Sequence, residues 1–413
     1  MTVEAAPEGA FAIGCASCGA VQAAPRAAPR GVLLSCRLCE AQFERTSGRS
    51  LDAALASAGA TFLLLIPANL FPLMTTAAMG ATRTSHLAST AAAMWRDNRP
   101  WVGIFVSLFL IVIPLVRFGV LSVVLAEVRS GRIGHHTGRA FRLDQELEMW
   151  AMSDVFLLAL MVTYARLTTS ISVRLDIGAY CFIAAGIMTL VTRAFLDRRA
   201  VWEAISPSPS VAPAGPAVIC NACGFVLPET MNGGHCPRCG NTIHARRPGA
   251  VRRAAALTIA AFLLYIPANL YPIATLPIGF SSTHYTVLEG VRDLFQAKLF
   301  ALAGVIFCAS FLIPILKLVG MGWFITSVVR RSRRHLVLKT RLYRAVEEIG
   351  RWSMIDPFVI GAFVPVMHYN NFVYARAEPA AAAFSFVVVG TMLAARCFDP
   401  RLMWDAAEIR HHD

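Results

Sequence analysis

The chain has 413 residues, of which 56% are hydrophobic and 15% charged, with a formal net charge of +13 and a mean hydropathy of +0.57. A soluble domain carries about 25% charge, so this composition excludes one and points to a chain that keeps most of its surface in a bilayer. The positive balance fits Lys and Arg gathered in cytoplasmic loops, and with no recognition module in sight a nucleic-acid partner is not expected.

Residues 1–50 read as a soluble ribbon framed by Cys15-Ala-Ser-Cys18 and Cys36-Arg-Leu-Cys39. Met1 to Gly14 has neither a basic start nor an apolar core, so no signal peptide is expected. A first transmembrane bundle is predicted over 51–200, with helices near 52–79, 101–126, 149–167 and 177–196. Residues 201–250 hold a Pro/Ser/Ala linker and a second ribbon, Cys220-Asn-Ala-Cys223 and Cys236-Pro-Arg-Cys239. A second bundle is predicted over 251–400, with helices near 254–275, 300–328, 352–374 and 381–398, and a polar tail over 401–413. The fold class is therefore an all-α polytopic membrane protein. It has two tandem four-helix bundles, each preceded by a four-cysteine ribbon.

The halves are copies. Pro67, Ala68, Asn69, Leu70 and Pro72 recur as Pro267, Ala268, Asn269, Leu270 and Pro272, 200 residues on (267 − 67). Pro114 and Arg117 match Pro314 and Lys317. Arg139, Arg142, Trp150 and Asp154 match Arg341, Arg344, Trp352 and Asp356 at a shift of 202 (356 − 154). Two prolines inside an apolar run predict a helix broken at Pro67–Pro72 and again at Pro267–Pro272. One reading makes the break a packing kink in which the asparagine bonds a freed carbonyl. The other has unwound backbone lining a cavity, with Asn269, Thr75, Thr76, Tyr271, Thr275, Tyr369, Asn370 and Asn371 facing it. Orientation follows from basic loops: Arg129, Arg132, Arg139 and Arg142 after the second helix, and Arg330-Arg-Ser-Arg-Arg334 after the sixth. These place both termini and both ribbons in the cytosol.

Two Cys-x-x-Cys knuckles turn four thiolates to one point, the pattern of a tetrahedral four-sulfur metal site. Cys15, Cys18, Cys36 and Cys39 form one set, and Cys220, Cys223, Cys236 and Cys239 the other. Zinc is the expected ion, with iron in a rubredoxin-like site as the alternative; cytosolic placement disfavours disulfides. His235 reads as a bystander to Cys236, and Cys181, Cys308 and Cys397 as packing residues within spans. Arg117, Asp154, Lys317 and Asp356 are charges inside spans, where pairing Arg117 with Asp154 and Lys317 with Asp356 lowers their cost. They are either static salt bridges, or snorkelling side chains, or a proton-coupled switch, for which Lys317 is better suited than Arg117 because a desolvated lysine can lose its proton. No nucleotide-binding motif or catalytic constellation is present, so an enzyme is not expected.

The ribbons, the Pro-Ala-Asn-Leu-x-Pro helix and the Arg-x-x-Arg…Trp-x-Met-x-Asp segment resemble the paraquat-inducible protein A family, which includes LetA-type inner-membrane subunits of envelope lipid-transport systems. The residues that carry the resemblance are Cys15 to Cys39, Pro67 to Pro72, Trp150 to Asp154 and their second-half equivalents. It implies a bacterial inner-membrane protein that loads or unloads membrane lipids at the base of a periplasmic tunnel made by an MCE-domain partner. The competing reading from the residues alone is a redox or stress-response membrane protein with iron in its ribbons, and a third is a passive scaffold for a periplasmic partner.

Overall fold

The computed structural model describes residues 10–25, 34–43, 50–78, 81–88, 100–168, 171–208, 215–278, 281–355, 357–359 and 376–407. Seven helices among them are long and apolar enough to cross a membrane. The predicted seventh span, 352–374, falls largely outside the described residues, as do Tyr369, Asn370, Asn371 and Asp356.

The first ribbon contributes strands β1 (Ala10–Gly14) and β2 (Val21–Pro25). Helix α1 (Leu51–Leu70) starts at Ser50, whose hydroxyl accepts from the Ala53 N–H, and contains Pro67. It does not run on to residue 79. Pro72 pushes the residue before it out of the helical region, and Phe71 is extended at φ −86, ψ 157. A hairpin follows, β3 (Met74–Ala78) and β4 (Ala81–Ser85). The predicted broken helix is thus a helix that ends at the motif and gives way to a sheet. The alternating threonines Thr75, Thr82 and Thr84 carried that strand signal.

Helix α2 is built from Pro100–Ser107, a π-helical turn Leu108–Val112, and Ile113–Ser130. Pro114 lacks an N–H and its ring crowds the carbonyl four residues back. The turn absorbs this, the Ile113 N–H reaching five residues back to the Leu108 carbonyl. Helix α3 (Thr137–Glu148) lies at the ribbon end of the molecule, and a bend leads into α4 (Ser153–Leu167). Strand β5 (Ser172–Leu175) joins the hairpin in the order β4-β3-β5, all antiparallel, with Thr75 opposite both Thr84 and Arg174. Helices α5 (Ile177–Phe195) and α6 (Arg198–Ile205) complete the half.

The second half repeats this. Strands β6 (Ala217–Ile219) and β7 (Val226–Pro228) build the second ribbon. They are followed by α7 (Ala250–Leu270), β8 (Ala274–Ile278), β9 (Ser281–Tyr285) and α8 (Val287–Gln296). Helix α9 combines Phe300–Phe307, a π-helical turn Cys308–Leu312, and Ile313–Val329. Then come α10 (Leu336–Ile349), β10 (Arg376–Ala377), α11 (Pro379–Cys397) and α12 (Arg401–Ala406). The second sheet has the order β10-β8-β9. Tyr271, before Pro272, repeats the extended backbone of Phe71 at φ −89, ψ 153.

In each half the first helix packs on the last and on the second: α1 on α5 and α2, α7 on α11 and α9. Small buried residues let α1 and α5 approach closely: Ala54, Ala58 and Ala68 face Ala179 and Ala185, and the Thr192 hydroxyl bonds Ser57 at 3.1 Å. The two halves touch through Phe156 and Phe358, edge to face at 6.0 Å, and through a cluster of Val162, Leu294, Ala303 and Ile306. At the sheet end, the Gly178 N–H donates to the Pro72 carbonyl at 2.9 Å. A Cβ at 178 would lie 2.5 Å from the Phe71 carbonyl oxygen and 2.6 Å from that of Pro72. Backbone cannot yield as a side-chain tip can, so Gly178→Val should lower the stability of the first half by about 1–3 kcal/mol. Thermal unfolding of detergent-solubilised protein checks this; an unchanged midpoint would mean the helix start is not clamped there.

Candidate metal centres and buried charges

Each Cys-x-x-Cys closes a tight turn by the same pair of hydrogen bonds. The Cys15 and Cys36 carbonyls accept from the N–H groups of Gly19 and Glu40, and the Cys15 and Cys36 N–H groups donate to the carbonyls of Ala20 and Ala41. Cys220 and Cys236 repeat this with Gly224, Gly240, Phe225 and Asn241. The turn needs a left-handed residue after its second cysteine, which glycine adopts freely: φ is +85 at Gly19, +70 at Gly224 and +67 at Gly240. Glu40 takes the same conformation at +55, and its carboxylate is ion-paired to Arg341.

The turns gather the eight cysteines into two quartets, each with all four sulfurs within 4.8 Å of one another. The Sγ–Sγ separations are 3.5 Å for Cys15–Cys39, 3.6 Å for Cys18–Cys36, 3.7 Å for Cys220–Cys239 and 3.6 Å for Cys223–Cys236. A disulfide needs about 2.05 Å. Four thiolates about 2.3 Å from one ion lie about 3.8 Å apart, so the sets fit a metal and not a pair of disulfides. The longer Cys18 to Cys36 interval does not disturb its quartet. Hydrogen bonds from Cys15 and Cys18 hold the Cys36 thiol far below its usual range, and those from Cys223 and Cys236 do the same for Cys220. The same bonding pushes Cys18 and Cys223 up. Cys181 and Cys397 are half-buried and Cys308 is exposed; the His235 backbone pairs with Thr242 in an isolated bridge.

Each ribbon docks on the half it does not precede. Cys15, Cys39 and Ala41 share a core with Leu336, Tyr343, Met403 and Trp404 of the second half. Cys220, Cys239 and Ile243 share one with Phe141, Val201 and Trp202 of the first. Matching side chains make both contacts. The Arg142 Nη1 donates to the Cys239 carbonyl at 3.2 Å and Arg139 lies against Gly240, while Arg341 pairs with Glu40, the position equivalent to Gly240.

The buried charges differ between halves. Arg117, 1% exposed, has Asp144 (3.2 Å) and Glu148 (3.4 Å) as partners in place of the expected Asp154. Asp154 accepts from Arg193 at 2.9 Å, and Glu148 also holds Arg193 and Arg198. The bend between α3 and α4 explains the exchange, because it carries Asp144 and Glu148 alongside α2. Asp144, Glu148, Arg193 and Arg198 become Val346, Gly350, Ala395 and Pro400 in the second copy. There Lys317, 2% exposed, donates to the Gly350 carbonyl at 2.7 Å and to the Thr391 hydroxyl at 3.2 Å. A Cβ at Gly350 would lie 2.5 Å from Lys317 Cε, so the lysine occupies the space that a side chain in the Glu148 position would take.

At the sheet end, Pro67 frees the Leu63 carbonyl, yet the Asn69 amide donates to Leu65 at 2.6 Å, and Asn269 likewise to Tyr265 at 2.8 Å. The asparagines thus tighten the last turn, each leaving a buried Oδ1 without a partner among the described residues. Thr75 and Thr275 donate to Asp176 (2.6 Å) and Glu378 (2.7 Å) at the starts of α5 and α11. They pin sheet to bundle and do not stand free in a cavity. Tyr271 is exposed.

One difference opens a groove. In the first half Phe62 lies over Gly119, where a Cβ would be 3.2 Å from its ring. The equivalent of Gly119 is Val319, and Phe262 stands out at 54% exposure. An apolar groove of about 330 Å³ results, lined by Ile259, Phe262, Tyr265, Ile315, Leu318 and Val319 on α7 and α9.

The model of the family described as paraquat-inducible protein A matches residues 51–206 and again 251–408. The chain is 28% identical over 412 residues, 97% of each chain, to the intermembrane transport protein PqiA of Escherichia coli strain K12. It is 29% identical over 377 residues, 90% of this chain and 86% of the relative, to the lipophilic envelope-spanning tunnel protein A of the same strain. It is 27% identical over 265 residues to a probable intermembrane transport protein of Haemophilus influenzae, 62% of this chain and 64% of the relative. No solved structure matches.

Elemental analysis of the purified chain should find two metal ions, one per quartet. Cys36→Ser and Cys236→Ser should each remove one ion and leave the other. Loss of both ions from either single variant would show the sites are not independent.

Proposed function

The chain belongs to the paraquat-inducible protein A family, its two matched stretches being the two copies of one unit, and on that premise we propose that it is the inner-membrane component of an intermembrane lipid-transport system. The observation that carries this reading is the near full-length likeness to a protein named for intermembrane transport, on a membrane-spanning chain with both copies intact. Each copy is a four-helix bundle, with the second bundle completed by a helix near 352–374. Domains run as 1–50, 51–200, 201–250 and 251–400 with a tail over 401–413. The basic segments between α2 and α3 and between α9 and α10 sit at the ribbon end, which supports cytosolic ribbons and termini and a periplasmic sheet end.

The two sheets then form the surface that meets a periplasmic MCE-domain tunnel partner, and the chain itself catalyses no reaction. The quartets hold zinc as closed four-thiolate sites, which stabilise small domains but leave no open position for chemistry. Lipid enters along the α7–α9 groove. Its lining is apolar, as an acyl chain requires, and its first-half equivalent is closed by Phe62. Lys317 is the charge that changes state during transport, with Asp356 as its partner, while Arg117 and Asp154 stay fixed by their network. The groove supports a moving part in the second half.

A photoreactive residue at position 262 should crosslink lipid in cells several-fold more than one at position 62. Equal yields would make the groove ordinary lipid-facing surface. Lys317→Met at normal protein level should abolish transport, whereas Arg117→Met should mainly lower stability, by about 3–5 kcal/mol, through the carboxylates it strands. Colourless protein with two zinc ions supports the ribbons as structural modules, and a visible iron–thiolate absorption would favour the redox reading.

A further inference from the structure

At the ribbon end a cleft of about 470 Å³ opens where the halves meet, between α3, α5, α6 and α10. Its charged lining balances: Arg193, Arg198 and Arg344 against Glu148, Glu347 and Glu348. Glu148 is already engaged with Arg117, Arg193 and Arg198. Glu348 has a partner as well, so two opposite charges remain. Arg344 has no hydrogen bond or ion pair among the described residues, and its Nε is buried. Its first-half counterpart Arg142 shares the buried, unbonded Nε but is otherwise engaged, donating through Nη1 to the Cys239 carbonyl and pairing with Glu146. Glu347, three residues along, likewise makes no hydrogen bond or ion pair among the described residues, and burial pushes its carboxyl above the usual range. Arg247 and Arg396 lie near enough to oppose that shift, though neither bonds Glu347 among the described residues, and Arg247 donates to the Arg396 and Phe398 carbonyls.

Residues three apart on a helix face the same way and ordinarily close on each other. Arg344 and Glu347 line one cleft without doing so. Leaving two charges unpaired and partly desolvated is costly, and a ligand that carries both signs answers both. A second cavity of about 400 Å³ adjoins the first, sharing Gln145, Arg198 and Arg344, so Arg344 and Arg198 present guanidinium groups from two walls. Guanidinium forks suit phosphate oxygens, and a carboxylate at Glu347 suits an ammonium.

We propose that this cleft binds a phosphate–ammonium zwitterion of phosphoethanolamine size, the phosphate between Arg344 and Arg198 and the ammonium at Glu347. The site itself is independent of the transport reading; only the assignment of its ligand to a lipid headgroup rests on that reading.

Calorimetric titration of the full chain in phosphatidylglycerol nanodiscs with O-phosphoethanolamine tests it. The expected result is one site per chain, at least tenfold tighter than for inorganic phosphate or ethanolamine alone. Arg344→Gln and Glu347→Gln should each weaken it at least tenfold, and Arg344→Lys should retain part of the affinity. Unaltered metal content and unfolding midpoint show that these variants are folded. Equal binding of inorganic phosphate, or no binding by folded wild-type protein, overturns the proposal. In nanodiscs containing phosphatidylethanolamine, competition with the soluble probe supports the site with a lipid as its source. Undiminished probe binding there supports the site with a soluble ligand and separates it from transport.

Discussion

Inside a bilayer no water reaches the backbone, so every carbonyl that a proline frees has to be answered by protein. This chain places prolines in its spans and repeats them in both halves. At Pro114 and Pro314 the helix goes on, because a π-helical turn absorbs the missing donor. At Pro72 and Pro272 it stops, because the residue before each proline is extended and the chain leaves the helix for a sheet. The sheets, the seating of Gly178 against Pro72, and the side-chain clamps from Thr75 to Asp176 and from Thr275 to Glu378 all follow from where the first helix of each half must end.

The same economy governs charge. Arg117 is tolerated because Asp144 and Glu148 reach it from α3, and Arg193 and Arg198 share the load. In the second copy four of those positions have become apolar, glycine or proline, and Lys317 rests on a carbonyl and a hydroxyl. Duplication supplied two equal frames. One kept an ion network around Arg117, while the other kept Lys317 on neutral partners and, through Val319 beside Phe262, an open groove between two helices. Each ribbon clasps the opposite half, so the two copies are tied across each other at the four-cysteine quartets.

The duplication, the two four-thiolate sets and the membrane class were legible in the residues, because each rests on local spacing: a thiol pair within one tight turn, an apolar run of spanning length, a proline at a repeated position. The partners of Arg117 were not. Asp144 and Asp154 are both near in sequence, and only the bend at Met149 to Met152 decides which of them meets α2. The strands after Pro72 were missed because they lie in an otherwise apolar stretch, where threonine alternation is a weak signal. The crossing of the ribbons, and an Arg344 and Glu347 without a bond among the described residues, had no signal at all. Sequence by itself determined the repeat, the thiolate sets and the apolar spans, since a tight turn and burial in lipid depend on neighbours along the chain. Tertiary structure alone decided what each charge and each ribbon meets, since those contacts join residues far apart in the chain, 301 positions in Arg341 with Glu40.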